Sequence, residues 1–163
     1  MAKIMLFGSS GLNSVSQNIE EALLSLYNQG HEFIVGDCKG ADAAFQMSLS
    51  RIGALERTTV YCMDKSRNNK YGAKEKVFLT AYDENTKIAT IYDKDTSEIM
   101  LQIENISDVK DILGTREYYE FKDRKMIDEC AIGICMWDGN SKGTMHNIQL
   151  LGIKDKPCYT YKF

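Results

Sequence analysis

The chain has 163 residues, of which 44% are hydrophobic and 26% charged, and its formal net charge is −3. These values predict a single globular domain and argue against sequence-independent binding to nucleic acid, which needs a basic surface. The sequence holds no run of about 18 apolar residues, so no membrane span is expected. The apolar run near the N-terminus is too short for a secretory signal and predicts a strand instead.

The cysteines and histidines point to a reducing compartment without metal chemistry. The five cysteines are an odd number and no two have C-x-x-C spacing, which argues against a disulfide framework and a zinc site. His31 and His146 have no carboxylate partner at metal-ligand spacing, so no metal is expected. We therefore expect a cytoplasmic protein that carries neither a metal nor another cofactor.

The first part of the chain alternates short apolar runs with glycine loops and amphipathic segments. In order, the patterns predict a strand at 3–7, a helix capped by Ser14 and ending at Gly30, a strand at 31–35, a helix ending near Gly53, and a strand at 57–63. Strands and helices alternating at such short spacing predict a parallel sheet with right-handed crossovers.

The middle of the chain has a different pattern. Residues 64–73 are polar, and although Arg67 follows the third strand, the composition favours a simple polar loop. Period-2 alternation predicts an antiparallel meander of strands at 77–82, 87–92 and 98–103, followed by a short helix at 107–113. We interpret 74–114 as an inserted β-rich segment or a flap; an exposed hairpin without function, a lid and an oligomer contact all remain open.

The α/β pattern resumes at Glu117. A helical stretch leads to an apolar strand at 131–137, a helix from Thr144 to about residue 153, and a last strand at 157–161. The apolar strand stops abruptly at Asp138, where a polar, glycine-rich stretch leads into the Thr144 helix.

Three glycine loops follow the ends of predicted parallel strands. They are the first (residues 8–11), the second (36–40) and the third (139–143) glycine loop. Each opens a helix, so backbone N–H groups and positive helix ends converge where open α/β sheets bind ligands. None has the dinucleotide or P-loop fingerprint. Together they predict a pocket for an anionic ligand such as a nucleotide or a sugar phosphate.

Several side chains in these loops admit both a ligand-binding and a structural interpretation. Lys39 and Lys142 are candidate phosphate contacts. Trp137 either stacks on a base or packs on the next helix. Asp37 and Asp42 are better explained by capping or turn formation than by ligand contact, whereas both remain open for Asp138.

The loop sequences resemble the SLOG superfamily of Rossmann-like nucleotide-binding domains. The residues that carry the resemblance are Gly8-Ser9-Ser10, Gly36-Asp37-Cys38-Lys39-Gly40-Ala41-Asp42 and Asp138-Gly139-Asn140-Ser141-Lys142-Gly143-Thr144. The first two are similar to the DNA-processing protein A domain. The third is similar to the Pro-Gly-Gly-x-Gly-Thr-x-x-Glu motif of the Lonely Guy phosphoribohydrolases, with its proline and one glycine replaced. The resemblance covers about residues 3–63 and 117–161.

The resemblance implies a doubly wound sheet, a phosphate held by the third glycine loop, and frequently a homodimer, so we expect a homodimer or a higher homo-oligomer. In the hydrolases an arginine before the glycine motif and a glutamate after it act on a nucleoside monophosphate. The arginine position matches Lys122 here, or Arg124 if the register shifts, and the glutamate position is Asn147. An amide cannot replace a carboxylate as a general base, which counts against hydrolysis.

We therefore predict an α/β fold: a Rossmann-like three-layer sandwich with a parallel sheet and an inserted β-rich segment. The first function hypothesis is binding of a nucleotide or nucleotide-derived small molecule, as a sensor or sequestering protein, with Trp137 or Tyr118 over the base. The alternative is an N-glycosidic hydrolase or transferase of the phosphoribohydrolase or deoxyribosyltransferase type, with Asp138 or Glu120 as the carboxylate. A protein-interaction module that has lost the pocket is the third. The predicted binding residues are Gly8, Ser9, Ser10, Gly36, Asp37, Lys39, Gly40, Asp42, Lys122, Trp137, Gly139, Ser141, Lys142, Gly143, Thr144 and Asn147.

Overall fold

A single eight-stranded sheet runs through the protein in a computed structural model that describes residues 1–163. The strands are β1 (Lys3–Gly8), β2 (Glu32–Val35), β3 (Thr58–Met63), β4 (Lys74–Asp83), β5 (Ile88–Asp93), β6 (Ile99–Ile103), β7 (Ile132–Trp137) and β8 (Cys158–Lys162). Their order is β6-β5-β4-β3-β2-β1-β7-β8. Only the pairs β4–β5 and β5–β6 are antiparallel. The predicted α/β fold with a mainly parallel sheet is confirmed.

Four helices cover the two faces of the sheet, which gives the three layers. They are α1 (Gln17–Asn28), α2 (Ala41–Arg51), α3 (Arg116–Glu129) and α4 (Lys142–Ile153). Along β1, Ile4 and Leu6 pack with α1 and α2, while Met5 and Phe7 pack with α3. Both faces of β1 are buried, which is why its sequence is a continuous apolar run. None of these helices has the length and apolarity needed to cross a bilayer.

Serine and threonine side chains fix the starts of three helices. The Ser16 hydroxyl accepts the Ile19 N–H at the start of α1, so the prediction of Ser14 as the cap is wrong by two residues. Ser141 caps α4 by accepting the Thr144 N–H, and α4 consequently begins at Lys142, two residues before the predicted start. Thr115 caps α3 in the same way.

Residues 74–114 continue the main sheet. The three predicted strands are present, and β4 pairs in parallel with β3 from Thr59↔Lys74 to Met63↔Phe78. Phe78, Ala89 and Ile91 are buried in the same core cluster as the inner side of α3. The segment is therefore not a separate flap, because its strands complete the core under α3. The predicted helix at 107–113 is reduced to a 3₁₀ turn, Val109–Asp111.

The connection between β3 and β4 crosses the carboxyl ends of the strands without a helix. This 64–73 crossover is held by Asn69, whose side chain donates to the Ala73 carbonyl at 2.8 Å and accepts the Ala73 N–H at 3.1 Å. Its path brings Arg67 beside the loop that follows β2. The crossover is thus one wall of the edge at which parallel α/β sheets bind ligands.

Candidate functional site

A cavity of about 200 Å³ opens at the carboxyl end of the sheet, between β1 and β7. The chain leaves β1 towards β2 and β3 on one side, while β7 and β8 lie on the other, so strand order reverses at this point. Such a switch point is where open α/β sheets bind ligands. The lining residues are Phe7, Gly8, Ser10, Cys38, Asp42, Arg67, Tyr119, Lys122, Asp123, Ser141, Gly143, Thr144 and Asn147.

Two glycines let the loops around the cavity pack backbone against backbone. A Cβ on Gly8 would lie 2.2 Å from the Met136 carbonyl oxygen, and a Cβ on Gly40 would lie 2.1 Å from the Ser10 carbonyl oxygen. Gly40 also has φ of +80°, which side-chain-bearing residues rarely adopt. The Ser9 hydroxyl joins the first and third loops by accepting the Asp138 N–H at 3.0 Å. These contacts hold the three loops as one rigid rim.

The carboxylate of Asp138, directly before the third glycine loop, satisfies two amides of that loop. Asp138 Oδ1 accepts the N–H groups of Asn140 and Ser141, both at 2.8 Å. These two hydrogen bonds hold the pKa of Asp138 below its ordinary value. The amides of Lys142 and Gly143, in the first turn of α4, have no partner within the protein. The capacity of this loop to bind an anion therefore lies at the helix start.

The second glycine loop carries an ion pair whose carboxylate is buried. Asp37 has a fully buried side chain and binds Arg67 Nη2 at 2.7 Å and the Arg67 amide at 2.9 Å. The Arg67 guanidinium lies 3.8 Å above the ring centroid of Tyr119 on α3. Asp37 thus fixes the 64–73 crossover and, through Arg67, one rim of the cavity.

Asp42, Lys122 and Asp123 form a charged group at the cavity floor. Burial raises the pKa of Asp42 to about 6, against the opposing effects of Lys122 and the Cys38 N–H. Burial alone would lower the pKa of Lys122, but Asp123 and Asp42 outweigh it and raise this pKa above its ordinary value. Lys122 is 3% exposed and its Nζ lies 2.9 Å from Asp123 Oδ1. Lys122 is therefore charged and paired, while burial makes the Asp42 carboxyl group harder to ionise, as its raised pKa indicates.

Helix α4 supplies neutral polar groups to the same cavity. The Asn147 amide donates to Asp123 Oδ2 at 3.4 Å, and the hydroxyls of Ser141 and Thr144 lie 3.0 Å apart. Thr144 and Asn147 are both buried. Asn147 thus contacts a carboxylate contributed by α3.

The structure sorts the predicted residues into three groups. Those that line the cavity are Gly8, Ser10, Asp42, Lys122, Ser141, Gly143, Thr144 and Asn147. Those that hold the surrounding loops in place without facing the cavity are Ser9, Gly36, Asp37 and Gly40. Those placed elsewhere are Lys39, Glu120, Trp137, Asp138, Gly139 and Lys142.

The residues placed elsewhere have other contacts. Glu120 binds Arg116 and Arg124 on the outer side of α3. Trp137, Gly139 and Lys142 line a neighbouring hollow with His146. Tyr118, a predicted cover for the base, is buried, and its hydroxyl donates to Asp64. The structure therefore does not bring these side chains to the cavity.

Sequence reasoning missed five lining residues, which are Phe7, Cys38, Arg67, Tyr119 and Asp123. Tyr119, Lys122 and Asp123 have the i, i+3, i+4 spacing of one helix face, so helical periodicity was a usable signal once Lys122 was a candidate. The interpretation of the 64–73 segment as a simple polar loop is wrong for Arg67, which is held at the rim by Asp37. No local pattern reveals that contact, because the partners are 30 residues apart.

Comparisons with protein-family models, with curated proteins and with solved structures found no significant match. The SLOG resemblance therefore stays a prediction that depends on the loop motifs. The carboxylates around the cavity do not form a group with the arrangement needed to hold a metal ion.

Proposed function

We propose that the cavity binds a nucleotide or a nucleotide-derived small molecule. The observation that carries this proposal is that the start of α4, with the unpartnered amide of Gly143, lines a cavity at the switch point of the sheet. A helix N-terminus with free amides favours an anion such as a phosphate group.

The rest of the cavity suits a sugar. Carboxylates of Asp42 and Asp123 and the amide of Asn147 can accept or donate hydrogen bonds to ribose hydroxyls. The cavity volume of about 200 Å³ is below the range of about 300–1,000 Å³ that is typical for small-molecule sites. It therefore encloses a phosphate and its ribose, while the base lies at the rim beside Tyr119 and Arg67.

We propose binding rather than turnover, as in a sensor or a sequestering protein. Asn147 replaces the glutamate that the resemblance requires, and it donates to Asp123 instead. Glu120 lies on the outer side of α3, and Asp138 is bonded to its own loop. The two carboxylates first considered for catalysis thus have other contacts.

The test is a matched pair of glycine variants in α4. A Cβ at either Gly143 or Gly152 would have no neighbour within 4 Å, but only Gly143 lines the cavity. Nucleoside monophosphates are expected to raise the melting temperature of the wild type and of Gly152→Val, and not that of Gly143→Val. Equal responses of the two variants, or none in the wild type, would overturn the proposal.

N-glycosidic cleavage is the second candidate, and one observation favours it. Asp42 is a cavity carboxyl group whose pKa is raised to about 6, as suits a general acid or base at neutral pH. Release of free base from a nucleoside monophosphate, measured by chromatography, would support it. Loss of that release in Asp42→Asn, with binding retained, would assign the proton transfer to Asp42.

The resemblance also implies a homodimer, which we propose without assigning its interface. Sedimentation velocity over a tenfold range of protein concentration tests it. A sedimentation coefficient that stays at the monomer value would contradict it.

A further inference from the structure

Asp42 is the one carboxylate of the cavity floor without a cationic partner at ion-pair distance. Its Oδ2 accepts the Cys38 N–H at 3.0 Å, whereas Lys122 is paired with Asp123. The bare backbone of Gly36 makes room for this arrangement: a Cβ there would lie 2.5 Å from Asp42 Oδ2 and 3.1 Å from Lys122 Nζ. Asp42 thus lies buried beside the cavity, near a lysine that is already committed to another carboxylate.

The surrounding elements leave Asp42 as an excess negative charge. The second glycine loop contributes Asp37 and Cys38, and Asp37 is paired with Arg67 of the crossover. Helix α3 contributes Lys122 and Asp123, which pair with each other. The first glycine loop and α4 contribute only neutral lining groups, which are Gly8, Ser10, Ser141, Gly143, Thr144 and Asn147. With both cations neutralised, an incoming anion meets an unbalanced carboxylate.

We propose that an anionic ligand enters this cavity together with one proton, which Asp42 takes up. The inference rests on the proposed function, since it concerns the same cavity. A phosphate at the start of α4 adds negative charge near a buried carboxyl group, and like charge favours its neutral form. Protonated Asp42 can also donate a hydrogen bond to the ligand, which the carboxylate cannot.

The direction of the pH dependence follows from this uptake. Free Asp42 is largely ionised above about pH 6, so the proton must be taken up on binding, and affinity falls as pH rises. The loss approaches about tenfold per pH unit where one full proton is bound. Below about pH 6 the free protein is already protonated, and the dependence on Asp42 disappears.

The experiment is calorimetric titration with AMP and, separately, with sulfate, which does not titrate in this range. Wild type, Asp42→Asn and the control Asp128→Asn on the exposed end of α3 are titrated from pH 5.5 to 8.5. Two buffers of different ionisation enthalpy at about pH 7 count the protons bound. With sulfate this count uses the wild type alone, so it stands even if a variant folds poorly. The ionisation of AMP itself is common to all three proteins and cancels in the comparison.

We expect the wild type and Asp128→Asn to take up nearly one proton on binding. In Asp42→Asn, the only proton uptake should be that caused by ionisation of the ligand itself. Asp42→Asn should also bind about thirtyfold more tightly than the wild type at pH 7.5, which is tenfold per pH unit above the Asp42 pKa of about 6. Binding without proton uptake, or equal uptake in Asp42→Asn, overturns the inference and leaves the proposed function standing. Proton-linked sulfate binding without any nucleotide binding overturns the proposed function and leaves the inference standing. Failure of both anions to bind overturns both.

Discussion

The second and third glycine loops are similar in sequence but differ in how their acidic side chains are satisfied. Each follows a strand next to β1, opens a helix and has an aspartate inside it or directly before it. In the third loop, Asp138 is bonded to amides two and three residues ahead. In the second loop, Asp37 binds a residue 30 positions away, and Asp42, in the first turn of the helix that this loop opens, lies buried beside α3 charges. The first arrangement is a local turn, whereas the second joins distant parts of the chain.

This comparison indicates where the chemistry of the site resides. A loop whose hydrogen bonds are local presents its backbone to a ligand, and its stability changes little with pH. A loop whose carboxylates depend on other elements couples stability, ionisation and ligand binding. Substitutions in or beside the two loops should therefore change the free energy of unfolding by different amounts and, in one case, in the opposite direction.

Gly40→Ala should have the largest effect. Its Cβ would lie 2.1 Å from the Ser10 carbonyl oxygen, at φ of +80°, so we expect a loss of at least about 3 kcal/mol of unfolding free energy. Gly143→Ala is the control in the third loop, because a Cβ there meets nothing within 4 Å. It should be neutral or stabilising by up to about 1 kcal/mol, since alanine favours helix. Urea denaturation measures both, and similar losses would contradict the difference between the loops.

Asp37→Asn should rank second. It leaves Arg67 facing an amide in place of a buried carboxylate. We expect a loss of about 2–3 kcal/mol, less than for fully buried pairs because the Arg67 side chain is 34% exposed. Glu120→Gln, in an exposed pair on α3, is the control and should cost under about 0.5 kcal/mol. Thermal unfolding of both variants checks this order, and an equal cost would show that burial of Asp37 is unimportant.

Asp42→Asn should raise the free energy of unfolding at neutral pH, in contrast to the two preceding variants. Because the pKa of Asp42 is raised to about 6 from an ordinary value of 3.8, the wild type loses stability as pH rises between these values. Removing the ionisable group should stabilise the protein at pH 7.5 by up to about 3 kcal/mol, with no such gain below about pH 4. Urea midpoints at several pH values test this, and a pH-independent difference would indicate that burial does not perturb Asp42.

Asp138→Asn should have the smallest effect. The Asp138 pKa is lowered, so its charge contributes stability above its ordinary value of 3.8 and loses that contribution as pH falls further. The variant should be slightly less stable than the wild type at pH 7, and the difference should vanish in acid. Melting temperatures at pH 7 and pH 3 measure this. A gain in stability at pH 7 would contradict the Asp138 turn.

Most of the fold could be predicted from the sequence because the patterns that indicate strands and helices are local. Apolar runs such as that of β1 and the glycines that end helices depend on near neighbours, so strand and helix positions were largely predicted. The β3–β4 pairing was not, since a parallel crossover without a helix has no periodic signal. The starts of α1 and α4 shifted by two residues, because serine caps at Ser16 and Ser141 compete with nearby polar residues.

Only part of the candidate site could be predicted from the sequence, because its charged residues come from separated segments of the chain. Gly143, Thr144 and Asn147 were found through one contiguous motif. Asp123 and Arg67 were not, because their roles depend on how α3 and the 64–73 crossover are placed over the sheet. Lys39 and Lys142 were chosen for their charge alone, and both lie on exposed backbone outside the cavity.

Trp137 gives the protein an intrinsic optical probe. It is the only tryptophan in the chain, and its indole N–H donates to the Ser141 carbonyl at 3.2 Å. Ser141 caps the helix whose first free amides lie at Lys142 and Gly143. Any displacement of that cap changes the hydrogen bond of a single fluorophore. Tryptophan emission therefore follows the conformation of this loop, without a label and without other tryptophans in the background.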